Sequence, residues 1–157
     1  MDSLYLKDFP GTKYRVALVR EEDSTRNPSK KVKPITNPEA AYQYIRSGLK
    51  NRDREFFVSI LLDVKNIPLG VNLVSIGHLS SSLVHPREVF KPAILASASA
   101  MIIAHNHPSG DPTPSADDIN VTVMLKQAGE ILQIPLLDHI IVGRDSYCSM
   151  KDREELR

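Results

Sequence analysis

The stretch AHNHPSGDPTPSADD, residues 104 to 118, sets the strongest limits on the architecture of this chain. The apolar run AMIIA leads into His105 and His107, a proline then breaks the run, and Ser115 begins a helical segment with Asp118 in its first turn. Because alternate residues of a strand point to the same face, the two imidazoles can converge on one point. A helix that starts beside the strand end would direct Asp118 toward them.

Two imidazoles and one carboxylate are the ligand set of a catalytic zinc site, in which three protein ligands leave a fourth position for water. Structural roles compete with this interpretation. The histidines could join a hydrogen-bond network in the loop, and Ser115 with Asp118 resembles a helix capping box that has Asp in place of Glu or Gln. Each residue alone favours a structural role, whereas the joint arrangement favours a metal site.

Helix and strand signals alternate on both sides of this stretch. Asn37, Pro38 and Glu39 supply the cap, the proline and the acid that are typical of a helix start. Predicted helices cover residues 37–50, 86–99 and 115–133. Predicted strands cover residues 56–63, 69–76, 100–104, 136–142 and 147–150. The first two of these strands are predicted to pair as a hairpin. The pattern predicts an α/β or α+β domain with a mixed sheet and flanking helices.

Composition limits the classes of protein to which this chain could belong. The chain has 157 residues, a formal net charge of +1 and one cysteine, Cys148. This length favours one domain, the charge predicts no strong attraction to nucleic acid or anionic membrane, and a single thiol excludes an internal disulfide and the multi-cysteine zinc sites. The apolar runs fall short of the ~20 residues of a membrane helix, and the N-terminus lacks the apolar core of a signal peptide. We therefore expect a cytoplasmic protein.

The first 35 residues differ in character from the rest. Residues 14–19 (YRVALV) predict a short strand, and residues 20–34 are polar and contain two prolines, which is typical of a linker. The basic cluster at Lys30, Lys31 and Lys33 favours a solvated surface. We expect an N-terminal strand and linker over residues 1–35 and one domain over residues 36–157.

The spacing of the polar residues resembles the JAMM motif of JAB/MPN-domain metalloproteases: His-x-His, seven residues, Ser, two residues, Asp, here His105, His107, Ser115 and Asp118. The strings SSSLVHPREVFKPAI, AHNHPSGDPTPSADD and LLDHIIVG resemble the RadC branch of that family. The similarity extends from Thr36 to the C-terminus. It implies a single JAB/MPN-like, cytidine-deaminase-like fold.

The resemblance implies a zinc-dependent hydrolase of peptide or isopeptide bonds, with one zinc ion per chain held by His105, His107 and Asp118. Ser115 would donate a hydrogen bond to the developing oxyanion. The family also needs an upstream glutamate at the start of a strand, as general base and acid. Glu55 precedes FFVSILLD, whereas Glu88 lies in the first turn of a helix, where an acid complements the helix dipole. We therefore favour Glu55 as catalytic and Glu88 as structural.

Other functions have weaker support from the sequence. The tripeptide HNH does not make an HNH nuclease, whose residues are spread along a longer motif, and a cytidine deaminase would need P-C-x-x-C. A DNA-repair or DNA-metabolism factor of the RadC type is the alternative, although the charge gives DNA binding no independent support. A catalytically silent MPN interaction module ranks third, because the metal ligands are all present. The sequence leaves open whether the protein forms a homodimer. It also leaves open whether Asp138 and His139 have a role near the metal or a structural role.

Overall fold

A computed structural model describes residues 32–77 and 84–153. The strand predicted at residues 14–19 lies outside these ranges. The described chain forms three helices and five strands in the following order: α1 Pro38–Leu49, β1 Phe56–Leu62, β2 Pro68–Ile76, α2 Pro86–Leu95, β3 Ala100–Asn106, α3 Ala116–Leu132, β4 Leu136–Val142 and β5 Tyr147–Ser149.

The strands form one mixed sheet in the order β2-β1-β3-β4-β5. β1 and β2 form the predicted hairpin, β1 is antiparallel to β3, and β5 is antiparallel to β4. β3 and β4 are parallel, and α3 makes the crossover that such a pair requires. The predicted mixed sheet with flanking helices is confirmed, and the architecture is consistent with a JAB/MPN-like fold.

Hydrophobic clusters pack on both faces of the sheet, which is why β3 is buried along its whole length. On one face, Ala41, Ile45 and Leu49 of α1 pack against the sheet, as their helical spacing predicts. On the other face, α2 and α3 bury a cluster that includes Phe57 of β1 and Phe90 of α2. Polar side chains placed on the second face of β3 are therefore enclosed by α3.

Two boundaries differ from the predictions by more than one residue. The second helix ends at Leu95 rather than near residue 99, because Ser97 adopts a left-handed backbone with φ of 52° that ends the helical path. The third strand runs to Asn106 rather than Ala104, because His105 and Asn106 continue the pairing with β4. The extension places His105 inside the sheet, with a defined register and side-chain direction.

Across residues 32–77 and 84–153, none of the helices combines the length and the apolar character needed to cross a membrane.

Candidate metal centre

The two histidines meet at the carboxyl end of β3. His105 pairs with Phe57 of β1 on one side and with Ile141 of β4 on the other, and its side chain is fully buried. His107 follows directly after the strand, where its backbone N–H donates to the carbonyl of Val142 over 3.0 Å. The Nε2 atoms of the two rings lie 2.9 Å apart, so the convergence predicted from their spacing is confirmed.

Asp118 reaches the same point from the first turn of α3. Its Oδ1 lies 3.1 Å from Nε2 of His105, and its Oδ2 lies 3.4 Å from Nε2 of His107. Asp118 also completes a capping box, because its carboxylate accepts from the backbone N–H of Ser115 while the Ser115 hydroxyl accepts from the backbone N–H of Asp118. The capping role and the metal-site interpretation of Asp118 are therefore compatible, since the cap points the carboxylate at the histidines.

The chemistry of these atoms fits a cation. Nδ1 of His107 lies 2.7 Å from the carbonyl oxygen of Asp111. A carbonyl only accepts, so Nδ1 carries the proton and Nε2 of the neutral ring is a lone pair. That lone pair faces Nε2 of His105 and the Asp118 carboxylate. The potential ligand atoms of His105, His107 and Asp118 all lie within 4.8 Å of one another, so these three residues could hold a metal ion.

Electrostatics in the cluster favour an ionised carboxylate. Burial alone would raise the pKa of Asp118, but the adjacent imidazoles of His105 and His107 outweigh it and hold that pKa far below its usual range. The hydrogen bond with Asp118 raises the pKa of His107, burial opposes the shift, and the charge of Glu55 is among the smaller causes that add to it. An ionised carboxylate beside two imidazole nitrogens is an arrangement that favours a cation.

The proline-rich loop supports His107. Asp111, whose carbonyl holds the ring of His107, accepts on its own carboxylate from the N–H and hydroxyl of Thr113. Gly143 fits closely beneath the loop: a Cβ atom there would lie 2.6 Å from the carbonyl oxygen of Gly110. Ser109 accepts from the backbone N–H of Asp111 over 3.3 Å. Ser109 and Asp111 therefore shape the loop.

Asn106 connects the histidine strand to the segment that carries Glu55. Its side-chain oxygen accepts from the backbone N–H of Phe56 over 2.9 Å, and its side-chain nitrogen donates to the carbonyl of Arg54 over 3.0 Å. Both peptide groups that flank Glu55 are thus held by a residue located between the two histidines. Asn106 therefore links the histidine strand to the start of β1.

Glu55 and Glu88 occupy different surroundings. Glu55 is half-buried immediately before β1, and its backbone carbonyl accepts from the N–H of Gly77. Glu88 is exposed in the first turn of α2 and forms ion pairs with Lys91 and Arg87. The ion pairs and the position of Glu88 agree with its predicted structural role, and catalysis by Glu55 stays a prediction.

The Ser115 hydroxyl donates to Oδ2 of Asp118 over 2.7 Å. Its one hydrogen is therefore directed at a candidate metal ligand, and the hydroxyl would have to rotate to donate to a substrate oxygen. The predicted oxyanion role of Ser115 stays a prediction with this added requirement.

Asp138 and His139, two neighbouring residues of β4, make different contacts because consecutive residues of a strand point to opposite faces of the sheet. Asp138 accepts from the backbone N–H groups of His139 and Lys151 and from the hydroxyl of Ser149, so it closes the C-terminal turn. His139 lies on the other face, with Nε2 located 2.8 Å from Nδ1 of His105. Burial lowers the pKa of His139 well below its ordinary value, and the nearby His105 lowers it further.

The sequence interpretation missed Thr122. Its hydroxyl donates to the backbone carbonyl of Asp118 over 2.6 Å and lies 2.6 Å from Nδ1 of His139. The available signal was its spacing, since Thr122 is four residues after Asp118 and therefore lies on the same side of α3.

The small basic cluster at residues 50–54 has partners within the chain. Lys50 pairs with Asp145, Arg54 pairs with Asp53, and Arg52 lies over the ring of Phe56.

Comparison with known proteins agrees with this arrangement. The RadC-like JAB domain family matches residues 35–156. A UPF0758 protein of Desulfitobacterium hafniense is 48% identical over 123 residues, covering 78% of this chain and 54% of that protein. A UPF0758 protein of Moorella thermoacetica is 51% identical over 122 residues, covering 78% of this chain and 53% of that protein. The chain thus spans about half the length of these curated relatives. With the described fold and the cluster of His105, His107 and Asp118, the match to residues 35–156 shows that the chain belongs to the RadC-like JAB domain family.

Proposed function

We propose that this protein is a zinc-dependent hydrolase of peptide or isopeptide bonds, with one zinc ion held by Nε2 of His105, Nε2 of His107 and the Asp118 carboxylate. The observation that carries the proposal is the convergence of three buried or half-buried acceptors at the end of β3, with Nε2 atoms only 2.9 Å apart. Imidazole with carboxylate is a ligand set that suits zinc. When bound, zinc supplies Lewis acidity and lowers the pKa of a bound water toward ~7.

The protein's own groups would manage the protons and the substrate. The Glu55 carboxylate would accept the proton of the attacking water and deliver it to the leaving amine. Its charge is one of the smaller causes that raise the pKa of His107, after the hydrogen bond with Asp118, which supports a location within electrostatic reach of the cluster. Ser115 would turn its hydroxyl from Asp118 toward the developing oxyanion. The lone cysteine, Cys148, fits a reducing cytoplasm.

Metal content is the first test. Protein purified without a histidine tag is expected to contain about one zinc ion per chain, matching the one three-ligand cluster found among residues 32–77 and 84–153. A His105→Ala/His107→Ala double variant should contain none. The zinc-loaded wild type should then be screened against peptide and isopeptide-linked substrates. A wild-type protein that is metal-free and does not take up added zinc would contradict the proposal.

Zinc is also expected to stabilise the fold. At a free concentration about a thousand times its dissociation constant, zinc should add about 4 kcal/mol to the free energy of unfolding. For a chain of this size, that raises the melting temperature by roughly 8–16 °C. Asp118→Asn removes one ligand and the carboxylate charge, so its melting temperature should not respond to zinc. Thermal unfolding of metal-free protein, with and without added zinc, measures both.

Asp117→Asn is the matched control for this measurement. Asp117 is the preceding residue of α3, is exposed, and loses the same charge on substitution. Its response to zinc should equal that of the wild type. An equal response in the Asp118→Asn variant would exclude Asp118 as a ligand.

A further inference from the structure

A continuous chain of hydrogen bonds lies behind His105. Nδ1 of His105 is 2.8 Å from Nε2 of His139, and Nδ1 of His139 is 2.6 Å from the hydroxyl oxygen of Thr122. That oxygen is 2.6 Å from the backbone carbonyl of Asp118. His105, His139 and Thr122 are all fully buried, so water does not compete for these contacts.

The direction of each hydrogen bond follows from what each atom can donate. The carbonyl of Asp118 only accepts, so the single hydroxyl hydrogen of Thr122 points to it. The Thr122 oxygen must then accept from Nδ1–H of His139. The ring of His139 is fully buried and its two hydrogen-bond partners are an imidazole and a hydroxyl, surroundings that favour the uncharged form with a single N–H. Nε2 of His139 is then a lone pair, which accepts from Nδ1–H of His105.

These directions decide the protonation of His105. With its proton on Nδ1, the ring presents a lone pair on Nε2, the atom that lies 2.9 Å from Nε2 of His107 and 3.1 Å from Oδ1 of Asp118. The opposite tautomer would place a hydrogen on Nε2 and block coordination. The series of hydrogen bonds that sets this tautomer therefore begins at the backbone carbonyl of Asp118 in α3 and ends at the candidate metal position.

We propose that Thr122 and His139 are positioning residues that hold His105 in the tautomer protonated on Nδ1, which leaves Nε2 for the metal ion. The consequence for metal binding rests on the proposed function, whereas the tautomer is a property of the metal-free chain. Ligating histidines usually donate to a carboxylate, a carbonyl or water. Here the acceptor for Nδ1–H of His105 is the imidazole of His139. Asp118 is the one anionic group among the three candidate ligands.

The arrangement also links two ligands through one helix. Thr122 and Asp118 are one turn apart on α3, and Thr122 bonds to the backbone of Asp118 itself. A shift of this turn would therefore alter the carboxylate ligand and the tautomer of His105 together.

The tautomers can be read directly from metal-free protein. Correlation spectra of the imidazole nitrogens with their ring protons should identify Nδ1–H for both His105 and His139 in the wild type. In Thr122→Val, Nδ1–H of His139 loses its acceptor. His139 should then carry its proton on Nε2, donate to Nδ1 of His105 and move the proton of His105 to Nε2. Thr122→Ser keeps the hydroxyl and should keep the wild-type tautomers.

Zinc affinity, measured by competition with a chelator, is the second readout. Loss of the partner that orients a ligand typically weakens metal binding by roughly 10–100-fold, and we expect a loss of that size in Thr122→Val. Thr122→Ser should lose less than the roughly tenfold lower limit of that range. A valine variant with wild-type zinc affinity and wild-type tautomers would overturn the proposal.

The two readouts separate this proposal from the proposed function. A wild type with His105 protonated on Nδ1 that takes up no zinc would support the positioning roles and reject the hydrolase. A wild type that binds zinc but carries the proton of metal-free His105 on Nε2 would reject the positioning roles and leave the metal centre in place.

Discussion

A Glu55→Gln variant is expected to keep its zinc and to lose hydrolytic turnover by roughly 10²–10⁴-fold, the usual contribution of a positioned general acid and base. Glutamine has nearly the shape of glutamate but cannot accept the proton of the attacking water. Glu55 is not among the three candidate ligands, so the zinc content should match that of the wild type. Turnover is measured on the amide substrate that the wild-type protein cleaves in the screen, and zinc content is measured on the same preparation.

Glu88→Gln is the matched control, because Glu88 is the other upstream glutamate in the motif region. Its carboxylate is exposed and pairs with Arg87 and Lys91 on the surface of α2. Surface pairs of this kind contribute little, so turnover and zinc content should both stay at the wild-type level. If Glu55→Gln instead lost its zinc, or if Glu88→Gln lost the turnover, the assignment of the proton carrier would be wrong.

Phe57→Ala is expected to reduce the free energy of unfolding by about 3–5 kcal/mol. The Phe57 side chain is fully buried in the cluster beneath α2 and α3. Its ring centroid lies 6.1 Å from that of His105 and 5.8 Å from that of His139, so truncation opens a cavity beside both imidazoles. The melting temperature should fall by roughly 6–20 °C, and zinc affinity should fall with it, because the wall behind the ligands is lost.

Chemical denaturation of metal-free protein measures this effect without a contribution from zinc. Ile131→Ala is the control, because this residue of α3 is 83% exposed. Substitution at such a position should change stability by no more than about 0.5 kcal/mol. A similarly small change in Phe57→Ala would mean that the ring does not form part of the core.

Local signals were sufficient for the helices, the hairpin and the candidate ligands. Asn37 caps α1 through its side chain, and Ser115 caps α3, as their positions before a helical pattern predict. The spacing of His105 and His107 on a strand, followed by a capped helix with Asp118, was enough to predict that the three groups meet. Each of these inferences depends on residues close together in the chain, where backbone geometry alone sets the direction of the side chains.

Contacts between distant segments could not be obtained in this way. Asp138 and His139 are adjacent in a buried strand, and the sequence left their roles open. The structure separates them by placing His139 beside His105, 34 positions away. Asn106 reaches the backbone of Arg54, 52 positions away, across the sheet. The side of the sheet that a strand residue faces depends on register, and a slip of one residue reverses it.

The sequence by itself therefore determined the family resemblance, the alternation of elements and the candidate ligand set of His105, His107 and Asp118, because these depend on residue type and short spacing. Only the tertiary structure decided that Asn106 holds the backbone on either side of Glu55 and that His139 and Thr122 lie behind His105 in one chain of hydrogen bonds. The physical reason is that these contacts join different strands and helices. Their geometry is set when the two faces of the sheet pack against α1 on one side and against α2 and α3 on the other.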